Sequence, residues 1–179
     1  MTGEGEIDAE DAGPIIKPKV KVSAAELWVR KEIPEIDLPD HAKVSFPDPK
    51  NILEFKVNID LRKEDCLWKG GIYDFTITIP KAYPYSAPKA HCDTPVYHPN
   101  IDLMGNVCLN ILRADWKPVL DLNAVILGLI FLFIEPNPED PLNHEAASLQ
   151  RDNYKSFESN VWNSLKGNTI DGVAFPKFI

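Results

Sequence analysis

The sequence is short of several things at once. Of its 179 residues only three are cysteine, Cys66, Cys92 and Cys108, and no two stand at CxxC spacing. An odd number without that spacing argues against a disulfide framework and against a zinc site. Long apolar runs are missing. The longest, from Ala124 to Ile134, is 11 residues with Gly128 inside it, where a membrane span needs about 20. No basic-then-apolar leader opens the chain, so the expected setting is the cytosol and nucleus. Positive charge is scarce: 19 Lys and Arg against 27 Asp and Glu, a net of −8. Glu4, Glu6, Asp8, Glu10 and Asp11 supply five of those charges in the first 12 residues, leaving −3 for the remainder. A mildly acidic body is a poor match for nucleic acid.

What is present reads as one soluble domain behind an extension. Hydrophobic residues make up 44% and charged residues 26%, an ordinary globular mixture. Residues 1–22 are acidic and small, then pass through Pro14 and Pro18 into Lys17, Lys19 and Lys21. They bury too little apolar surface to offset the entropy of ordering. Residues 23–179 form the expected core domain.

Ser23-Ala-Ala-Glu26 is a capping-box pattern opening a helix that Pro34 stops. Leu53, Phe55, Val57, Ile59 and Leu61 then alternate with polar residues, as do Tyr73, Phe75, Ile77 and Ile79. Each run predicts a strand with one buried face. Residues 44–46 and 89–92 supply shorter flanking strands. Nine of the 16 prolines fall between Pro80 and Pro141, which makes that stretch irregular but stiff. Within it, residues 122–133 predict a helix, apolar nearly all round and therefore central, with Asp121 as N-cap. After Pro141 the pattern reads helical to the end, with Asp140 as a candidate cap for a helix starting at Pro141 and Gly167 as a stop. The order gives an α+β fold: a small four-stranded antiparallel sheet, an N-terminal helix, a central buried helix and C-terminal helices.

Cys108 lies in the stiff stretch, eight to ten residues after His98-Pro99-Asn100. A cysteine near a histidine is compatible with thiol nucleophilic catalysis. For an arbitrary cysteine the commoner role is a small core residue, which is the reading kept for Cys66 and Cys92.

The words around Cys108 are more specific. Tyr97-His98-Pro99-Asn100-Ile101, Gly105-Asn106-Val107-Cys108-Leu109, Asp115-Trp116-Lys117-Pro118 and Pro136-Asn137-Pro138-Glu139-Asp140-Pro141-Leu142 resemble the ubiquitin-conjugating enzyme family in order and spacing, as does Tyr83-Pro84 with Pro88 upstream. The resemblance spans about residues 23–167. Val107 to Arg113 and Glu135 to Asn143 look most like the neddylation-type members.

That resemblance implies the ubiquitin-conjugating (UBC) fold and a transferase. Cys108 would carry the C-terminus of a ubiquitin-like modifier of Nedd/Rub type as a thioester. An activating enzyme would deliver it, spending ATP, and a substrate lysine, on cullin-like proteins, would receive it with a RING-type ligase. No bound cofactor or metal is implied, and no nucleic-acid or membrane partner. Asn100 matches the asparagine thought to stabilise the oxyanion, directly or by ordering its loop; the plain alternative is a loop asparagine bonding nearby backbone. Asp140 matches the carboxylate that aligns or deprotonates the incoming lysine. His98 resembles a brace for the loop that Pro99 continues, rather than a partner in a Cys–His dyad. Asn137 and Leu142 would shape the groove, with Asn143 a weaker candidate. Tyr85, Pro118 and Val119 would form the ligase-docking patch with the first helix. There Trp28 stands where the family tends to be polar or basic, so it either packs inward or alters partner choice. Neddylation-type relatives resemble one another in a basic N-terminal extension with apolar anchors. This chain starts acidic, and only Ile15 to Val22 has that mixed character.

Two readings compete with a neddylation-type transferase, besides its ubiquitin-carrying counterpart. One is an inactive modifier-binding relative, which Cys108 and Asn100 in their matching positions argue against. The other is a Cys–His hydrolase built on Cys108 and His98.

Overall fold

The computed structural model describes residues 22–179; the extension expected over 1–22 therefore lies outside it except for Val22. Helix α1 runs Ala24–Glu32. Its capping box is made as the sequence predicts. Ser23 Oγ accepts from the Glu26 N–H at 3.2 Å, and the Glu26 carboxylate accepts from the Ser23 N–H at 2.7 Å. Pro34 follows in a 3-10 turn, Ile33–Glu35.

Four strands come next, β1 (Ala42–Ser45), β2 (Glu54–Asp60), β3 (Ile72–Thr78) and β4 (Lys89–Cys92), paired antiparallel in chain order. Register places Phe55 opposite Ile77, Val57 opposite Phe75 and Ile59 opposite Tyr73, so one face is wholly apolar and buried. The other face is a polar lattice. Lys56 Nζ donates to Asp93 at 2.8 Å and to Thr76 Oγ1 at 2.6 Å, and Asn58 donates to Asp74 at 2.7 Å.

Helix α2 (Leu122–Ile134) lies against the apolar face, with Asp121 accepting from the Ala124 N–H at 2.8 Å. Phe133 is the hub of the packing. Its ring stacks on Tyr73 at 4.8 Å and meets Trp68 at 5.6 Å, His98 at 5.5 Å and Phe75 at 6.3 Å edge-on. The helix is not buried all round, as its composition led us to expect. Leu127, Phe131 and Ile134 recur at helical spacing and are 42%, 52% and 64% exposed, an apolar stripe facing away from the sheet.

Glu32 ties three segments together. Its carboxylate accepts from Tyr83 Oη at 2.6 Å and from the Leu122 N–H at 3.0 Å, joining the end of α1 to the Tyr83 loop and to the start of α2. Trp116 Nε1 donates to the Pro84 carbonyl at 2.8 Å and so holds the 113–120 loop beside the Tyr83 loop.

The C-terminal part corrects two expectations. No helix starts at Pro141. Helix α3 is His144–Asp152 and its cap is Asn143, whose side chain accepts from the Ala146 N–H at 3.1 Å. Asp140 lies one turn too early to cap it, and its carboxylate points elsewhere. Nor is the chain helical to the end. Asn153 closes α3 and caps α4 (Tyr154–Leu165). Gly167 stops α4 at φ +78, a conformation that costs glycine little. A hairpin of β5 (Thr169–Ile170) and β6 (Val173–Ala174) follows, and the last residues return to the core, with Phe178 against Tyr73 at 5.5 Å.

Truncating Phe133 to alanine should cost about 3–5 kcal/mol, the usual range for a buried aromatic. Leu127→Ala, on the exposed stripe, should stay within about 0.5 kcal/mol. Urea denaturation of both variants checks the contrast; equal losses would mean that α2 packs differently.

Candidate active site

The site is built on a buried loop. His98 is fully buried and stacks on Trp68 at 4.6 Å, whose indole N–H donates to the Tyr97 carbonyl at 2.9 Å. Its Nε2 lies 2.9 Å from the Leu132 carbonyl, and its Nδ1 accepts from the Asn100 N–H at 2.9 Å. The carbonyl requires a proton on Nε2 and the amide requires a lone pair on Nδ1, which fixes the neutral tautomer. Burial drives the imidazole down to about 4. Both ring nitrogens are therefore committed, and neither is available to take a proton from Cys108. The Cys–His hydrolase reading loses its base.

The next two residues stitch this loop to the one preceding α3. The Pro99 carbonyl accepts from the N–H groups of Leu142 and Asn143 at 2.9 and 3.0 Å. Asn100 is almost wholly buried. Its Nδ2 donates to the carbonyls of Asn137 at 2.7 Å and Asp140 at 3.2 Å, and its Oδ1 accepts from the Asn137 N–H at 2.8 Å. The backbone partners settle which end of the carboxamide is which, and both amide protons are in use.

Cys108 is held against this brace by its own backbone, its N–H donating to the Asn100 carbonyl at 2.8 Å. The thiol faces a cleft of about 130 Å³ lined by Asn100, Leu109, Asn110, Phe131, Asn137 and Asp140 among others. Sγ lies 3.3 Å from Asp140 Oδ2 and 2.9 Å from Arg113 Nη1, and Arg113 lies 3.1 Å from the same carboxylate oxygen. Burial holds the Cys108 thiol above its ordinary value; Arg113 pulls it down and Asp140 pushes it up. At neutral pH the resting group is the protonated thiol. Cys92, closed into the sheet, is pushed up to about 12. Cys66 is half-buried and also raised by burial. Among the described cysteines only Cys108 has a guanidinium on its sulfur.

The remaining candidates fall in two places. Asn137 lines the Cys108 cleft. Leu142 lines a neighbouring hollow with Asp102, Leu103, Met104, Asn143 and His144 instead. Tyr85 and Val119 are 81% and 84% exposed, and Pro118 is exposed beside Val119, on the two loops that Trp116 joins. Trp28 does not pack inward. It is 42% exposed on α1 beside the exposed Leu27, with the Lys31 ammonium 5.2 Å from its ring centroid. Arg113 was not singled out from sequence. The only signal was a cation five residues past the cysteine, and contact requires the 3-10 turn Asn110–Leu112 to double the chain back.

The profile of a family described as ubiquitin-conjugating enzyme matches residues 29–165. The chain belongs to the ubiquitin-conjugating enzyme family. The NEDD8-conjugating enzyme Ubc12 of Dictyostelium discoideum is 52% identical over 159 residues, 89% of this chain and 68% of that protein. The Arabidopsis thaliana protein of the same name is 51% identical over 160 residues, 89% and 86% of the two chains. The solved structure of S. cerevisiae Ubc12 superposes with a TM-score of 0.80 at 36% identity, covering 88% of each chain. The four-stranded meander with its flanking helices is thus the UBC fold, as the motifs implied.

A neutral buried histidine makes stability depend on pH. The unfolded imidazole binds a proton below about 6.5, whereas the folded one resists until about 4. Stability should therefore be fully present above pH 6.5 and fall as pH drops towards 4, by about 3 kcal/mol at most. Denaturant titrations at pH 7 and 4.5 should show a smaller loss for His98→Gln than for the unsubstituted protein. Equal losses would show that His98 is not the group responsible.

Proposed function

We propose that this chain is a neddylation-type conjugating enzyme. It accepts a ubiquitin-like modifier of the Nedd/Rub type from its activating enzyme as a thioester on Cys108 and passes it to a substrate lysine, on cullin-like proteins, with a RING-type ligase. The observation that carries the reading is the cleft-facing thiol between Asp140 and Arg113, on a loop braced by Asn100, in a chain half identical to NEDD8-conjugating enzymes. A ubiquitin-carrying enzyme of the same mechanism is the alternative.

The roles follow from the chemistry. Exchange from one thioester to another is close to neutral in energy, so no cofactor is needed here and ATP is spent upstream. The acceptor amine is mostly protonated at neutral pH, with an unperturbed pKa near 10.4. Desolvation in the cleft favours the neutral amine, and Asp140, beside the sulfur, is placed to align it or take its proton. Attack develops an oxyanion on the former carbonyl, next to the Asn100 carboxamide. Asn137 walls the cleft. Tyr85, Pro118 and Val119 are exposed on two joined loops and Leu27 and Trp28 are exposed on α1; in this reading they serve to dock a ligase. No described helix is long and apolar enough to cross a membrane, and action in cytoplasm and nucleus belongs to this reading.

Charging is tested on non-reducing gels with ATP and two matched sets, the neddylation activating enzyme with its modifier and the ubiquitin pair. The expected result is a reductant-sensitive adduct with the first set alone, lost in Cys108→Ala and converted in Cys108→Ser to a slower-leaving oxyester. An adduct only with the ubiquitin pair overturns the pathway, and none with either overturns the transferase. Asn100→Ala and Asp140→Ala should still be charged but discharge to lysine at least roughly 10²-fold more slowly. Normal discharge would remove those roles.

A further inference from the structure

Arg113 needs an explanation that the fold does not supply. Its guanidinium and the Asp140 carboxylate are each about half exposed, 56% and 49%, and such pairs add little to stability. Yet the 3-10 turn after Cys108 brings the chain back so that Nη1 sits 2.9 Å from the sulfur and 3.1 Å from Asp140 Oδ2. The same carboxylate oxygen is 3.3 Å from the sulfur. Three groups thus meet at one point, and they oppose one another. A carboxylate at that distance repels a thiolate. A guanidinium on the sulfur stabilises the thiolate and, by pairing with the carboxylate, weakens the repulsion.

We propose that Arg113 is a catalytic residue of the charging step, its guanidinium holding the Cys108 sulfur as an anion while it attacks the incoming thioester. The inference rests on the transferase reading and assigns that site a further participant. In the step, the Sγ–H proton passes to solvent. The sulfur anion then bonds to the carbonyl carbon of the delivered thioester, and the bond from that carbon to the activating enzyme's cysteine sulfur breaks. The departing thiolate takes a proton from solvent. Once Cys108 is acylated its sulfur carries no charge and no longer competes for the guanidinium. Asp140 no longer faces an S–H donor, and it keeps its contact with Arg113 while it meets the acceptor amine. Charging and discharge thus use neighbouring charges of opposite sign on the same sulfur, and Arg113 lets them coexist.

The test reads the thiol directly. Alkylation of Cys108 by iodoacetamide is followed across pH 6.5 to 10 by peptide mass spectrometry, which separates it from Cys66 and Cys92. In Arg113→Gln the profile should move to higher pH, with roughly tenfold less reaction at pH 7.5, the effect of about one pH unit in thiolate fraction. Arg113→Lys should recover part of the shift, and Asp140→Asn should move the profile the other way. Single-turnover charging of Arg113→Gln should be slowed roughly tenfold at pH 7, and its pH–rate profile should be displaced to higher pH in step with alkylation. Superimposable alkylation profiles for Arg113→Gln and the unsubstituted protein would overturn the proposal, as would single-turnover charging of Arg113→Gln at the unsubstituted rate at pH 7. If the profile moves as expected but no form accepts a modifier, the effect of Arg113 on the sulfur stands and the transferase reading falls.

Discussion

The site depends on an imidazole that must stay neutral. His98 sits between the Leu132 carbonyl of α2 and the Asn100 N–H, stacked on Trp68. It pins the His98–Asn100 loop to the central helix. Everything nearer the chemistry hangs from it. Asn100 reaches the 137–140 backbone, Pro99 receives Leu142 and Asn143, and Cys108 bonds back to the Asn100 carbonyl. Remove the pin and the three segments that meet at the sulfur lose their common reference. Protonating it would put an ion in an apolar pocket and destroy the acceptor that holds Asn100. The residue most tempting as a catalytic base is thus unfit for it, for the same reason that it is indispensable.

A conjugating enzyme asks two incompatible things of its cysteine. The free thiol must not react indiscriminately, yet it must become a nucleophile when a thioester arrives. Near-complete burial and a carboxylate neighbour meet the first demand by favouring the protonated form. A guanidinium within reach of the sulfur meets the second without abolishing the first. The balance is set by three groups at about 3 Å from one another. A small change in how a partner screens any one of them would shift the thiol's readiness.

Much of this architecture was legible in the sequence where local rules act alone. The capping box at Ser23, the cap at Asp121 and the alternation in β2 and β3 depend on neighbours a few residues apart, and the structure follows them closely. Rules failed where a better competitor stood nearby. Asp140 and Asn143 are both acceptable caps, and tertiary contacts decided between them. Pro99 claims the N–H groups of Leu142 and Asn143, and Arg113 draws the Asp140 carboxylate towards the sulfur, so the helix starts later. The composition of α2 overstated its burial because hydrophobicity records no direction. Seven of its residues serve the core, while Leu127, Phe131 and Ile134 face outward. The Arg113 contact was invisible because it depends on an irregular turn. The short hairpin after Gly167 was hidden by a stretch with no alternation long enough to read.

Under the transferase reading, a structural and a catalytic role for Asn100 need not be alternatives. At rest its two amide protons go to the Asn137 and Asp140 carbonyls, leaving none for an oxyanion. A neutral hydrogen bond of this kind contributes about 1 kcal/mol net, whereas one to a charged group contributes about 1.5–3. The 3.2 Å bond to Asp140 is the longer of the two, and it is the one to exchange for a developing oxyanion once the Asp140 carbonyl is met by another donor. The bonds to Asn137, donated and accepted, would keep the carboxamide in place meanwhile. Under the transferase reading the same side chain can therefore brace the loop in the ground state and stabilise charge in the transition state. The exchange is available only when charge is present, which is the condition for an interaction to raise a rate rather than merely tighten binding.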